Sequence, residues 1–333
     1  MITTAIFHAF CHFTAARTVW LVGRVSYNSM LMRWLEDGLE GSPLVTVVIA
    51  NWNGRSWLSH CLPTLAQQTF TDFEIIVVDN GSSDDSIPWL AAHWPAVRLV
   101  PLKCNVGFAA ANNLGIRAAR GQFIVTLNND TLADPDWLAQ MVTAVSAPDI
   151  GMVAAKILVW HDPDKLDSTG IEIDAAGMAW NRGDGRPANS PFPAEVFGPN
   201  AAAALYRREM LAQIGLFDED FFAYYEDVDL AWRARRAGWR CVYAAEAQIR
   251  HWHSATGGQN KPFKAYLLGR NRVWCLLKNY PWPALAWRAP LLLLYDGLTG
   301  IVQMLRLGSS APLNGRCQGW LTARHAWRKR TNG

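Results

Sequence analysis

The chain is without the marks of several common protein classes. Its six cysteines, Cys11, Cys61, Cys104, Cys241, Cys275 and Cys317, are scattered with no metal-type pair, which excludes a zinc module and leaves reduced thiols in a cytosolic setting as the expectation. It has no excess of either charge: 31 Lys and Arg against 28 Asp and Glu give a net +3 over 333 residues, too even a balance to point to nucleic acid. No GxGxxG turn follows the first strand-like segment, and GxxxxGK(S/T) is missing, which argues against dinucleotide redox chemistry and P-loop hydrolysis. No basic cluster precedes an apolar run at the amino end, where His8, His12 and Arg17 interrupt the apolar residues, so it does not read as a secretory signal. The most apolar stretch, 289–305, contains Asp296 and Gln303 and falls short of a transmembrane span.

What is present is a half-apolar composition with 17 tryptophans, enough to build a full core. Residues 45–50 form a buried-type strand ending at Asn51, followed by a helix with the stripe Leu58, Cys61, Leu62 and Leu65. Residues 73–78 repeat the pattern and end in Asp79, Asn80 and Gly81, with Ser83, Asp84 and Asp85 suited to the start of the next helix. A shorter strand at 97–100 leads through Asn105 and Gly107 into a helix stopped at Gly121. Residues 123–127 are mostly β-branched and stop at Asn128, Asn129 and Asp130, after which Asp134 and Pro135 open a helix carrying Leu138, Met141, Val142 and Val145. This alternation predicts a mostly parallel sheet with right-handed crossovers. Asn51, Asp79, Asn105 and Asp130 then share the edge where open α/β sheets bind ligands. Alone, Asn-Asn-Asp is equally a polar turn.

After residue 150 the alternation fades into short strands at 152–159, 170–173 and 178–180. The segment NRGDGRPANSP reads as a mobile loop, either a lid or a solvated turn. A helix opening at Glu226 and ending at Gly238 places Asp227 on the inward stripe with Leu230, Ala231 and Ala234, an unusual position for a carboxylate that nothing uses. Glu226 and Asp229 are expected to do no more than favour the helix start. His251 and His253 flank Trp252 at the end of a further strand. Residues 313–330 contain Arg316, Arg324, Arg328, Lys329 and Arg330 but no acid, and Trp282, Trp287, Trp320 and Trp327 accompany them. This suggests a helix pair lying on an anionic membrane face, against the simpler reading of docking onto the rest of the protein.

The segments VTVVIANWNG, EIIVVDNGSSDDS, NVGFAAANNLGIRAARGQFIVTLNNDT and FFAYYEDVDLAWRARRAGW occur in this order, and together they resemble glycosyltransferase family 2, of GT-A fold, in its rhamnosyltransferase-like branch. The resemblance covers residues 44 to about 275, and the Arg270-Asn271-Arg272 helix matches a feature of that branch. It implies a Rossmann-like, mostly parallel sheet flanked by helices, with C-terminal amphipathic helices, and an inverting transfer from a nucleotide-diphosphate sugar. It also implies roles for individual residues. Asn51 and Asp79 match positions that hold base and ribose; Asn105 and Asn112 lie near the nucleotide, and Asn129 also falls among the nucleotide-binding positions. Asp130 matches the last acid of a metal-binding DxD motif whose first acid is here Asn128. His251 matches a histidine that completes the shell of a divalent cation, Mg²⁺ or Mn²⁺. Asp227 matches the acid that deprotonates the acceptor hydroxyl. The acceptor implied is a saccharide or lipid-linked saccharide in cell-surface polysaccharide assembly, on the cytoplasmic face of the inner membrane. The expected divisions are an extension at 1–42, a catalytic domain at 43–275 (nucleotide half to 150, acceptor half after it) and a basic helical tail at 276–333. A sugar-nucleotide nucleotidyltransferase or a catalytically silent nucleotide-binding membrane protein are the alternatives.

Overall fold

The computed structural model describes residues 41–252 and 261–330. The extension at 1–42 lies, apart from its last two residues, outside the described residues, as does His253. In chain order the elements are β1 (Val45–Asn51), α1 (Arg55–Ala66), β2 (Phe73–Asp79), α2 (Ser86–His93), β3 (Arg98–Pro101), α3 (Phe108–Ala118), β4 (Phe123–Leu127), β5 (Thr131–Ala133), α4 (Trp137–Thr143), β6 (Ile150–Val159), β7 (Asp162–Ser168), β8 (Ile171–Ile173), β9 (Ala179–Asn181), β10 (Glu195–Val196), β11 (Ala203–Arg207), α5 (Arg208–Ile214), α6 (Glu226–Arg236), β12 (Arg240–His251), α7 (Lys261–Asn279), α8 (Trp282–Leu307), α9 (Ala311–Leu321) and α10 (Ala323–Arg328).

The main sheet runs β10-β12-β6-β11-β4-β1-β2-β3, with β5 on β12 and β7 on β6. β1 pairs in parallel with both β2 and β4, and β2 with β3, as the alternating pattern predicts. Register sets Asn51 opposite Asp79 at the sheet's carboxyl edge. The side chains of β1 alternate faces in the usual strand fashion. Val45, Val47 and Ile49 join the layer under α1 and α4 with Leu58, Leu62, Trp137 and Met141. Val48 joins the opposite layer with Ala111, Ile116, Leu211 and Leu230.

The sheet is mostly parallel, as expected, and four features add to the sequence reading or depart from it. The sheet is still mixed: β11, antiparallel to both β4 and β6, sits between them. Ala203 and Ala204, the end of a run of four alanines, open this strand. The helix expected from Asp134 starts at Trp137, with Asp136 at its N-cap, and residues 131–133 before it form β5 against β12. The Asn-Arg-Gly-rich loop is pinned rather than loose. Arg182 is 2% exposed and donates to Thr169 and to the carbonyls of Pro193 and Glu195. Finally, the boundary expected after residue 275 falls inside α7, and the tail is fused to the catalytic half. Val273, Trp274, Leu277, Leu285 and Ala326 form one buried cluster with Phe221, Val228 and Trp232.

Candidate active site

The strand ends on the carboxyl edge border a cleft of about 480 Å³, within the roughly 300–1,000 Å³ typical of small-molecule sites. Asn51, Asn105, Asn129, Asp130, Asp227 and His251 all line it. Two expected site residues do not. Asp79 lies behind the wall, accepting from Asn51 Nδ2 at 3.1 Å and from the Ser82 amide at 2.9 Å. Asn112 is buried in α3 and returns its amide to the Phe108 carbonyl one turn back. Asn51 is itself fully buried and also accepts from Asn129 Nδ2 at 2.8 Å. The three strand ends are therefore wired together as a rigid floor. Asn80, which the sequence reading passed over as a turn residue, braces the next loop: its Oδ1 accepts from the Val106 amide and its Nδ2 donates to Asn105 Oδ1 and the Gly107 carbonyl.

At the centre of the cleft His251 Nε2 stands 3.3 Å from Asp130 Oδ1, and both residues are nearly buried. That separation suits two neighbouring ligands on one cation with bonds of about 2.1 Å. Among the described residues no group of three or more His, Cys, Asp or Glu side chains is placed to hold a metal, so the pair fits a cation that takes its other ligands from a bound oxyanion. Asn128, in the place of the first acid, has its amide 3.3 Å from the same His251 nitrogen. A second carboxylate comes from an unexpected quarter: Asp167 Oδ2 lies 2.8 Å from His251 Nδ1. It fixes the ring's orientation from behind, as outer carboxylates do for metal-ligating histidines. Nothing in the local segment HDPDKLDS signals this, since only the β6–β7 turn folds Asp167 against β12. Burial alone would lower the His251 pKa, but hydrogen bonds and charge from Asp130 and Asp167 outweigh it and raise it to about 9, so a cation taking Nε2 has to displace a proton from it.

The facing wall holds Glu226 and Asp227 at the start of α6. Asp227 accepts from the amides of Ala201 (3.3 Å) and Val228 (2.8 Å). Burial lifts its carboxyl above the ordinary range, and these two amides pull the other way. Glu226 is 5% exposed, and its Oε2 has no hydrogen-bond partner. Burial, reinforced by the charge of Asp227, pushes its carboxyl well up. The two adjacent acids thus differ in their surroundings: two backbone amides face Asp227, whereas Glu226 Oε2 has no partner. Asp229 goes beyond capping: fully buried, it takes ion pairs from Arg233 and Lys278 and a hydrogen bond from Asn279. The turn ahead of α6 is unusual, because Phe222, Tyr224 and Tyr225 all have positive φ, a conformation that costs about 1–3 kcal/mol per non-glycine residue.

Residues 46–215 match the family model described as Glycosyl transferase family 2. The chain belongs to this family. Among relatives of this family-2 chain, the O-antigen biosynthesis protein RfbC of Myxococcus xanthus is 29% identical over 66% of it, and the chain spans only 18% of that protein's length. The N-acetylglucosaminyl-diphospho-decaprenol L-rhamnosyltransferase of Mycobacterium tuberculosis is 27% identical over 74% of the chain and 88% of the relative. This places the family-2 chain beside the rhamnosyltransferase-like branch that its motifs resemble. A mannosyltransferase from Pyrobaculum calidifontis, solved with GDP-Man and Mn²⁺, superposes with a TM-score of 0.52 at 19% identity, over 90% of this chain and 93% of the other. That likeness bears on the fold alone, which is GT-A.

Proposed function

We propose that the protein is an inverting glycosyltransferase that moves a sugar, with rhamnose the first to try, from a nucleotide diphosphate to a saccharide or lipid-linked acceptor in cell-surface polysaccharide assembly. The observation that carries this reading is a base and a leaving-group site in one cleft, with Asp227 on the helical wall and Asp130 with His251 at the strand ends. Asn51 and Asn105 are assigned to the nucleotide side, with Asp79, Asn112 and Asn129 supporting them. Asp227 accepts the acceptor's hydroxyl proton as that oxygen bonds to the anomeric carbon. The bond from that carbon to the diphosphate oxygen breaks on the opposite face, which inverts the anomeric configuration. Asp130 and His251 would hold a divalent cation, Mg²⁺ or Mn²⁺, which would supply positive charge for the departing diphosphate. The family and its O-antigen and rhamnosyltransferase relatives support the polysaccharide setting.

The experiment is transfer from dTDP-rhamnose to N-acetylglucosaminyl-diphospho-decaprenol, the acceptor in the mycobacterial relative's name, by wild type and Asp227→Asn. The variant should keep donor affinity and lose about 10²- to 10⁴-fold in kcat. In the wild type, kcat should fall as pH drops through the raised Asp227 pKa, above the ordinary aspartate value of about 3.9. Undiminished transfer by Asp227→Asn would remove the mechanism.

Peripheral attachment to the cytoplasmic face of a membrane is supported by α8. By length and composition it is apolar enough to cross a membrane, which corrects the expectation that 289–305 falls short of a span, and it displays Trp287, Leu291, Leu294, Leu298 and Leu305 to solvent. The basic half of that expectation is narrower than the sequence implied. Arg316 is buried against Asp296, Lys329 pairs with Asp218, and Arg330 donates to the Leu277 and Tyr280 carbonyls. The protein should cosediment with anionic phosphatidylglycerol vesicles, and Leu294→Glu with Leu298→Glu should abolish this without lowering Tm. Equal sedimentation of that variant would discount α8.

A further inference from the structure

The turn that presents Asp227 closes two backbone hydrogen bonds of its own, from the Phe222 amide to the Glu219 carbonyl and from the Ala223 amide to the Phe221 carbonyl, and is otherwise held from outside. Three of its residues, Phe222, Tyr224 and Tyr225, take left-handed φ values of 65°, 70° and 71°, so an external brace is needed. The brace comes from α7. Asn271, fully buried, points its Nδ2 at the carbonyl oxygens of Phe221 (2.9 Å), Ala223 (2.8 Å) and Tyr224 (2.7 Å). Arg270 donates to the carbonyls of Asp220 and Phe221. Two turns further on, at positions i+7 and i+8 of the same helix face, Lys278 and Asn279 reach Asp229 at 2.8 and 2.7 Å. The far side of the turn touches the nucleotide wall. The Phe222 carbonyl accepts from the Ala109 amide, and Gly107, at φ 92°, would bring a Cβ to 2.5 Å from the Phe222 ring.

We infer that Asn271 is a positioning residue for the acceptor-side base: its amide, shared among three carbonyls, fixes the 222–225 turn so that Asp227 faces the cleft. The inference rests on the role proposed for Asp227. The chemistry asks for asparagine, a short planar group with two N–H donors and no charge. An aspartate there has the same shape but no donor, and it turns a negative oxygen toward carbonyl oxygens. The C-terminal helices, whatever else they contact, are thereby part of the catalytic apparatus.

The test uses the full chain with Asn271→Asp and Asn271→Ala, alongside Asp227→Asn. Carbodiimide labelling at Asp227 and hydrogen–deuterium exchange over 222–228 need no substrate. Both should rise at least tenfold in the Asn271 variants, while labelling of Asp130 and exchange in β1 and β4 stay as in wild type. In the transfer assay above, kcat should fall about 100-fold, KM for dTDP-rhamnose should stay within threefold, and the acid limb of the pH profile should move. Wild-type labelling and exchange at the turn overturn the inference, and so does a uniform rise across the protein, which marks a merely structural role. If Asp227→Asn loses transfer while the Asn271 variants keep it, the positioning role fails and the base stands. If Asp227→Asn keeps transfer, the base fails first.

Discussion

The two walls of the cleft are built on opposite principles. The strand-end wall is made by register: β4 is fully buried, β1 nearly so and β2 buried over its last four residues, all three run parallel, and their polar ends meet because the sheet aligns them. Asn51, Asp79 and Asn129 then join by short hydrogen bonds. The helical wall is made by clamping. A left-handed turn is held from outside by Asn271 and Arg270, and the helix behind it is anchored through Asp229. A wall set by register depends on distributed core packing, whereas a clamped wall depends on a few side chains and is easily disabled by one substitution.

That contrast is open to attack at several points, beginning with the largest effect. Trp274 packs between Phe221 and His325, with its indole N–H on Thr322. Trp274→Ala should cost about 3–5 kcal/mol in urea unfolding; a loss below about 1 kcal/mol would mean that the tail is not part of the core. Next, Asp167→Asn should weaken Mn²⁺-dependent donor binding about 10- to 100-fold by calorimetry and leave metal-free binding alone. An unchanged Mn²⁺ response would take Asp167 out of the site. The smallest effect belongs to the sheet-borne half. Burial works to raise the Glu74 pKa, but hydrogen bonds from Arg120, Arg98 and Thr46 lower it from 4.5 to about 2. A depressed carboxylate stabilises the fold above its unfolded pKa, and that contribution is lost as pH falls from 4.5 through about 2. Because Arg98 and Arg120 are half exposed, Glu74→Gln should cost only about 1 kcal/mol at pH 7, and its deficit should shrink over that window.

The same division governs what could be read from the residues alone. The β-α alternation of the first half is local, and it fixed the sheet edge and brought Asn51, Asn105 and Asp130 to the cleft. Asp227 was visible as a carboxylate on an apolar stripe. The clamps were not visible, because a buried Asn271 has no periodic signature and its partners are backbone carbonyls some fifty residues away. Asp167 was missed for a similar reason, as it meets His251 only when β6 brings β7 and β12 together. Asp79 and Asn112 show the converse: polar residues at the right strand or helix end that spend their hydrogen bonds inside the wall.

The place of β11 carries a consequence for synthesis. This strand is the partner of β4 on the side away from β1, yet it lies some seventy-five residues beyond β4 in the chain. While the ribosome makes the intervening residues, β4 presents an unpaired edge of Phe123, Ile124, Val125 and Leu127, the type of edge that recruits other chains. The family-matched region ends at residue 215, just after β11 and α5 close that edge. A nascent chain halted at residue 200 should therefore depend on a chaperone more than the full chain, in which β11 closes the edge of β4 and β12 that of β6.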